Sequence, residues 1–119
     1  MGKKEKTNQQ NKLDIYETKD FHKAVKGLFS ECMNILMKKN KDYNTGEDAF
    51  ENFKRVENLN LCTTETGILV RMNDKFSRLC NLIKCNESEV KDETVEDTLI
   101  DLINYSAILY CYLKQKRGT

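Results

Sequence analysis

Glu93, Asp97, Asp101 and Asn104 are spaced to share one side of a helix. At about 100° per residue they fall within a sector of about 80°. Most acidic helical stripes are solvated outer faces. This one runs on into Ile100, Ile108 and Cys111, with Tyr105 and Tyr112 on one flank and Ile103 and Tyr110 on the other. The second half of the helix is therefore apolar nearly all round, the pattern of a helix covered on both sides. Carboxylates one turn apart repel in a dry site unless a metal ion or basic groups neutralise them. Handling of Mg²⁺ and phosphate is the chemistry expected of such a stripe. The two-sided helix also predicts self-association, as a dimer or larger.

A second charged group is Arg71, Asp74, Lys75 and Arg78, which share a helical face away from Leu69, Met72 and Phe76. It reads either as a surface ladder, with Asp74 and Arg78 an i,i+4 pair, or as a phosphate clamp with Asp74 an additional metal ligand. The segment Lys41-Asp42-Tyr43-Asn44, with Phe50, Asn52 and Phe53, has the composition of a base pocket. Aromatic rings stack on bases, and Asn reads amide-like base edges. The competing reading places Phe50 and Phe53 in the core. His22 is the only histidine and has no companion, so neither a ligand nor a base is expected there. No Walker-type glycine loop, Gly-x-Ser-x-Gly or Cys/His pair is present, which argues against nucleophilic catalysis.

The elements that must position these residues are helices. Apolar Phe21, Val25, Leu28, Cys32, Ile35 and Leu36 predict a first helix over about 20–39, with Asp20 as cap. Gly27 within it reads as a close helix contact. Turn residues 40–48 follow, then a short helix over about 47–59 and a break at 58–64. A third helix is predicted over about 65–84, capped by Thr63 or Thr64, with Leu69, Met72, Phe76, Leu79, Cys80 and Ile83 as its core stripe. The last, over about 92–116, has Val95, Leu99, Leu102, Ser106, Leu109 and Leu113 as its main apolar face. The expected fold is all-α, a small four-helix bundle-like domain over 13–119. Residues 1–12, rich in Lys, Asn and Gln, read as a disordered basic tail.

Bulk properties agree. A chain of 119 residues suits one core rather than two. It has no proline and only 5 glycines, punctuation too sparse for a meander of short strands. The net charge of +1 does not favour gripping long nucleic acid. The 5 cysteines lack disulfide or zinc spacing and read as reduced core residues. No apolar run reaches transmembrane length, and the polar start is no signal peptide, so no membrane partner is expected.

Lys41-Asp42-Tyr43-Asn44, Phe50-Glu51-Asn52-Phe53, Arg71-Met72-Asn73-Asp74-Lys75-Phe76-Ser77-Arg78-Leu79 and Glu96-Asp97-Thr98-Leu99-Ile100-Asp101-Leu102-Ile103-Asn104-Tyr105 follow one another in order. Over about residues 20–115 this resembles the phage and bacterial family called nucleotide modification associated domain 1. Its closing motif is similar to the acidic helix of the MazG-like all-α nucleotide pyrophosphohydrolases. That similarity implies Mg²⁺-dependent attack of water on an NTP or dNTP. Asp97 and Asp101 would hold metal, and Glu93 or Glu96 would be a further ligand or the base. Lys75 and Arg78 would meet phosphates, Asn104 and Tyr105 would join the substrate site, and a second subunit would close it. The setting implied is the cytoplasm of a bacterial cell or phage-infected host. One departure stands out: the MazG-like enzymes carry Glu-Glu-x-x-Glu on a preceding helix, where the first helix here offers only Glu31 and the Arg71 to Arg78 stretch only Asp74.

Three functions are consistent with these features: a nucleotide pyrophosphohydrolase, a non-catalytic protein that binds or sequesters a nucleotide or cyclic-nucleotide signal, and a structural helical oligomer.

Overall fold

A computed structural model describes residues 16–85 and 94–118. The described residues form four helices and no strand: α1 (Thr18–Tyr43), α2 (Glu51–Asn58), α3 (Thr64–Cys85) and α4 (Val95–Arg117). The fold is all-α, as the apolar periodicity predicts. None of the described helices is long and apolar enough to cross a membrane. The chain divides into two compact units between Glu31 and Cys32, inside α1. Helices α2, α3 and α4 and the end of α1 belong to the second unit, and Phe21 and Gly27 to the first. The predicted tail at 1–12, and Glu93, lie outside the described residues.

Each helix end has a local cause. Helix α1 runs four residues further than the periodicity predicts, because Lys41, Asp42 and Tyr43 stay helical and the turn begins only at Asn44. There the Asn44 amide nitrogen donates to the Asn40 side-chain oxygen and to the Ala49 carbonyl. Glu51 folds back to accept from the Thr45 and Gly46 amides, each at 3.2 Å. Asp48 accepts from the Phe50 amide at 2.9 Å and pairs with Lys54 at 2.7 Å, so α2 starts later than 47. At its far end Asn60 takes φ +60, Asn60 N–H donates to the Glu57 carbonyl, and Leu61 N–H donates to the Val56 carbonyl. That is a Schellman ending with Asn, which tolerates the left-handed region, where Gly is commoner. Thr63 caps α3 by accepting from the Thr66 amide at 3.2 Å. Thr94 and Asp97 form a reciprocal capping box on α4.

Helix α1 buries or half-buries its predicted stripe apart from Phe21, whereas α3 and α4 bury different faces from those the apolar periodicity suggests. The buried side chains include Cys32, Thr64, Ile68, Leu82, Thr98, Ile100, Asn104 and Tyr112. On α3 the expected core residues Leu69, Phe76, Cys80 and Ile83 are exposed, and Lys75 and Arg78 are partly buried instead. On α4 the seam through Ile100, Asn104 and Tyr112 is buried, while Leu99 and Ser106 of the expected leucine face are exposed. The cause is electrostatic: the inward face of α4 brings Asp101 to Lys39 and Lys75, an attraction that an apolar tally omits. Phe21 at the start of α1 is exposed too. All five cysteines are free, but only Cys32 is buried, so the expectation of core cysteines holds for one of them.

Gly67 lets α2 and α3 approach closely, since a Cβ there would lie 2.7 Å from Val56 Cγ2. Gly27, read from sequence as a close contact, would present a Cβ to open space, with nothing within 4 Å. Opposite outcomes are therefore expected in urea melts. Gly67→Ala should destabilise by about 1–3 kcal/mol through overpacking, and Gly27→Ala should stabilise by up to about 1 kcal/mol through helix propensity.

Candidate functional site

The end of α1, the 44–50 turn, α2, α3 and α4 enclose an open cleft. Its empty volume, counted together with adjoining open solvent, is about 540 Å³. Its wall is made by apolar Leu36, Ala49 and Ile108, the rings of Tyr43, Phe53 and Tyr105, and the amides of Asn40, Asn52 and Asn104. Lys39, Arg71 and Asp101 complete it.

Local structure sets each of these groups. The Asn44 side-chain oxygen accepts from the Asn52 backbone amide at 3.1 Å, which ties the first turn of α2 to the end of α1. One turn brings Asn52 and Phe53 to the cleft together. Phe53 meets Tyr105 edge to face, with centroids 6.3 Å apart and planes at 86°. The Arg71 guanidinium lies 5.4 Å from the Phe53 ring centroid, a cation–π contact that holds it beside the cleft. Asn104 donates its side-chain N–H to the Cys32 carbonyl at 3.1 Å, fixing α4 against α1. The side-chain oxygen of Asn52 is buried with no hydrogen-bond partner, a costly state for an acceptor.

Asp101 lies at the electrostatic centre. Its two oxygens are separately engaged, Oδ1 by Lys39 at 2.9 Å and Oδ2 by Lys75 at 3.0 Å. The carboxylate is only 16% exposed. Burial pushes its pKa up, but hydrogen bonds from Lys39 and Lys75, with their charges, outweigh burial and hold it below the ordinary aspartate value. Among the residues that line the cleft, Lys39 and Arg71 are the cations and Asp101 is the one acid.

Of the residues picked out from sequence, Tyr43, Asn52, Phe53, Arg71, Asp101, Asn104 and Tyr105 line this one cleft, and Lys75 reaches it through Asp101. Others do not join them. Glu96, Asp97 and Asp74 are exposed, and Asp97 is occupied in capping its own helix. Arg78 is partly buried on α3 and does not line the cleft. Lys39 and Asn40 were missed, because a lysine run at a helix end reads as a dipole partner and an Asn before a turn reads as turn chemistry. The signal for Lys39 was its distance of one helical turn from Tyr43, on the same side of α1.

The arrangement also bears on Mg²⁺. No group of three Asp, Glu, His or Cys gathers among the described residues. Asp101 has an ammonium about 3 Å from each oxygen, which repels a divalent cation from the position it would need. Asp74, Asp97 and Asp101, as arranged, do not fit the ion. Asp74 and Asp97 stand outside the cleft, and Asp101 within it is the counter-charge of Lys39 and Lys75. Compared with known proteins, the chain matches no protein-family model, no curated protein and no solved structure.

A depressed carboxylate pKa stabilises the fold above its unfolded value of about 3.9, and that contribution is lost as pH falls through the lowered folded value. The stability difference between wild type and Asp101→Asn should therefore be full at neutral pH and shrink below about pH 4. Paired urea melts across that range check it; a pH-independent difference would mean that Asp101 is not ionised between the two lysines.

Proposed function

We propose that the protein binds a nucleotide in this cleft, as a binder rather than a metal-dependent hydrolase. The observation that carries the reading is the pairing of an aromatic and amide wall with two cationic side chains, Lys39 and Arg71, in one cleft. Tyr43, Phe53 and Tyr105 offer ring faces to a base. Asn40 and Asn52 offer amide groups to its polar edge, and the unpartnered Asn52 oxygen suits a ligand N–H. Phosphate oxygens suit the Lys39 ammonium and the Arg71 guanidinium, which recognise them by charge and by fork geometry respectively.

Pyrophosphate release, which the MazG-like similarity implies, calls for several ligands on one cation. The described residues offer Asp101 alone in the cleft, already neutralised. Binding needs none of that machinery.

Thermal shift and calorimetry with a panel of NTPs, dNTPs and cyclic nucleotides test the reading. A bound nucleotide at 100 times its Kd stabilises the fold by about 2.7 kcal/mol, seen as a rise of several degrees in Tm. The rise should persist in EDTA. Arg71→Ala and Lys39→Ala should each weaken binding about tenfold or more. Asp101→Asn should preserve or tighten it, because a competing internal anion is removed. Metal-dependent release of pyrophosphate that Asp101→Asn abolishes would establish the hydrolase instead, and no shift with any nucleotide would end both readings.

A further inference from the structure

The same two helices that hold the cleft present a second apolar face on their other side. On α3, Leu69, Phe76 and Ile83 recur every seven residues and are 52%, 59% and 63% exposed. Met72 and Leu79, half-buried, run beside them. On α4, Leu99 and Tyr110 are 42% and 61% exposed, and Leu102, Leu109 and Leu113 are half-buried alongside.

Helical geometry places both stripes on one side. At about 100° per residue, the Leu69–Phe76–Ile83 stripe lies roughly opposite Gly67 and Arg71, the residues of α3 that meet Val56 and Phe53 of α2. The α4 stripe likewise lies away from Asn104, Asp101 and Tyr112, which meet Cys32, Lys39 and Phe50. Helices α3 and α4 thus form a two-helix layer. Helix α2 and the Cys32–Tyr43 part of α1 cover one side of it, and among the described residues of this unit none covers the other.

That other side has the character of an interface. Positions 69, 72, 76, 79, 80 and 83, with 99, 102, 106, 109, 110 and 113, carry no charge in a chain that is 33% charged. The five most exposed side chains alone leave roughly 500 Å² of apolar surface, near the upper end of the largest patch on a typical monomer. The half-buried rows bring the face towards the roughly 800 Å² per partner of a stable dimer. The edges are self-complementary. Glu96 stands at the acidic start of α4 and Lys114 and Arg117 at its basic end. A half-turn about an axis near Ser106 sets the acidic end of one copy against the basic end of the other. Ser106 is small and already satisfied, its hydroxyl donating to the Leu102 carbonyl at 2.8 Å.

We propose that this α3–α4 face is the interface of a twofold homodimer, in which two such layers close a four-helix bundle around Phe76 and Ser106. The cleft opens on the opposite side of the layer, so dimerisation leaves its wall in place. Light scattering on the full chain during size-exclusion chromatography at micromolar concentration should return twice the chain's mass. Phe76→Lys and Leu99→Lys, at positions exposed in the single chain, should each weaken dimerisation about 100-fold or more with unchanged helicity by circular dichroism. Met33→Lys, also exposed but on α1, should leave the dimer intact. Cys80, exposed in the single chain, should resist alkylation in wild type and react in Phe76→Lys. A wild type that stays monomeric at its highest soluble concentration would overturn the proposal, leaving the face open or to another partner. So would a dimer that survives Phe76→Lys combined with Leu99→Lys.

Discussion

The contact on which the rest depends is the carboxylate of Asp101 held between two ammonium groups, Lys39 from α1 and Lys75 from α3. Three helices meet there, each contributing one charge. Burying a lone carboxylate is costly, and the cost is offset only when its oxygens find charged, hydrogen-bonding partners. Here each oxygen has its own. That arrangement lets α4 turn its acid-bearing side inward, and Ile100, Asn104 and Tyr112 are buried as a consequence. Among the residues that line the cleft, Asp101 is the one acid, with Lys39 and Arg71 as the cations.

The second constraint is the amide stitching around the turn between α1 and α2. Asn44 bonds back to Asn40, across to the Ala49 carbonyl and forward to the Asn52 backbone. A segment of this length without Pro would otherwise sample many conformations, and ordering it has an entropic cost. The several hydrogen bonds that Asn44, Asp48 and Glu51 make compensate for that cost and leave Tyr43, Asn52 and Phe53 facing one space. The close approach at Gly67 then brings Phe53 under Arg71, so the ring and the cation are placed by a missing side chain as much as by their own attraction.

Helices α3 and α4 serve two surfaces at once. One side supplies Arg71, Lys75, Asp101, Asn104 and Tyr105 to the cleft, and the other carries a continuous uncharged stripe. A helix apolar nearly all round is expected where both sides are covered. The described chain covers one.

The sequence alone settled the helical nature of the chain, the threonine cap and the break before α3, the apolar stripe of α3 and the two-sided apolar character of α4. These rest on local rules: periodicity, capping chemistry and turn residues act over a few positions. It also picked out seven of the residues that line the cleft, because aromatic, amide and charged side chains clustered in order. It could not decide which stripe faces inward. On α4 the leucine stripe holds more apolar atoms than the seam with Ile100 and Asn104, yet the seam is buried. On α3 the heptad of Leu69, Phe76 and Ile83 is exposed while Lys75 is drawn in. The choice lies in contacts between residues far apart in the chain, Asp101 with Lys39 and Asn104 with the Cys32 carbonyl. Such energies depend on which charges meet in three dimensions, and no local pattern encodes that meeting. The same is true of Asp101 itself. Its sequence neighbours make it look like one of a set of metal ligands, and only the tertiary structure makes it the counter-ion of two lysines.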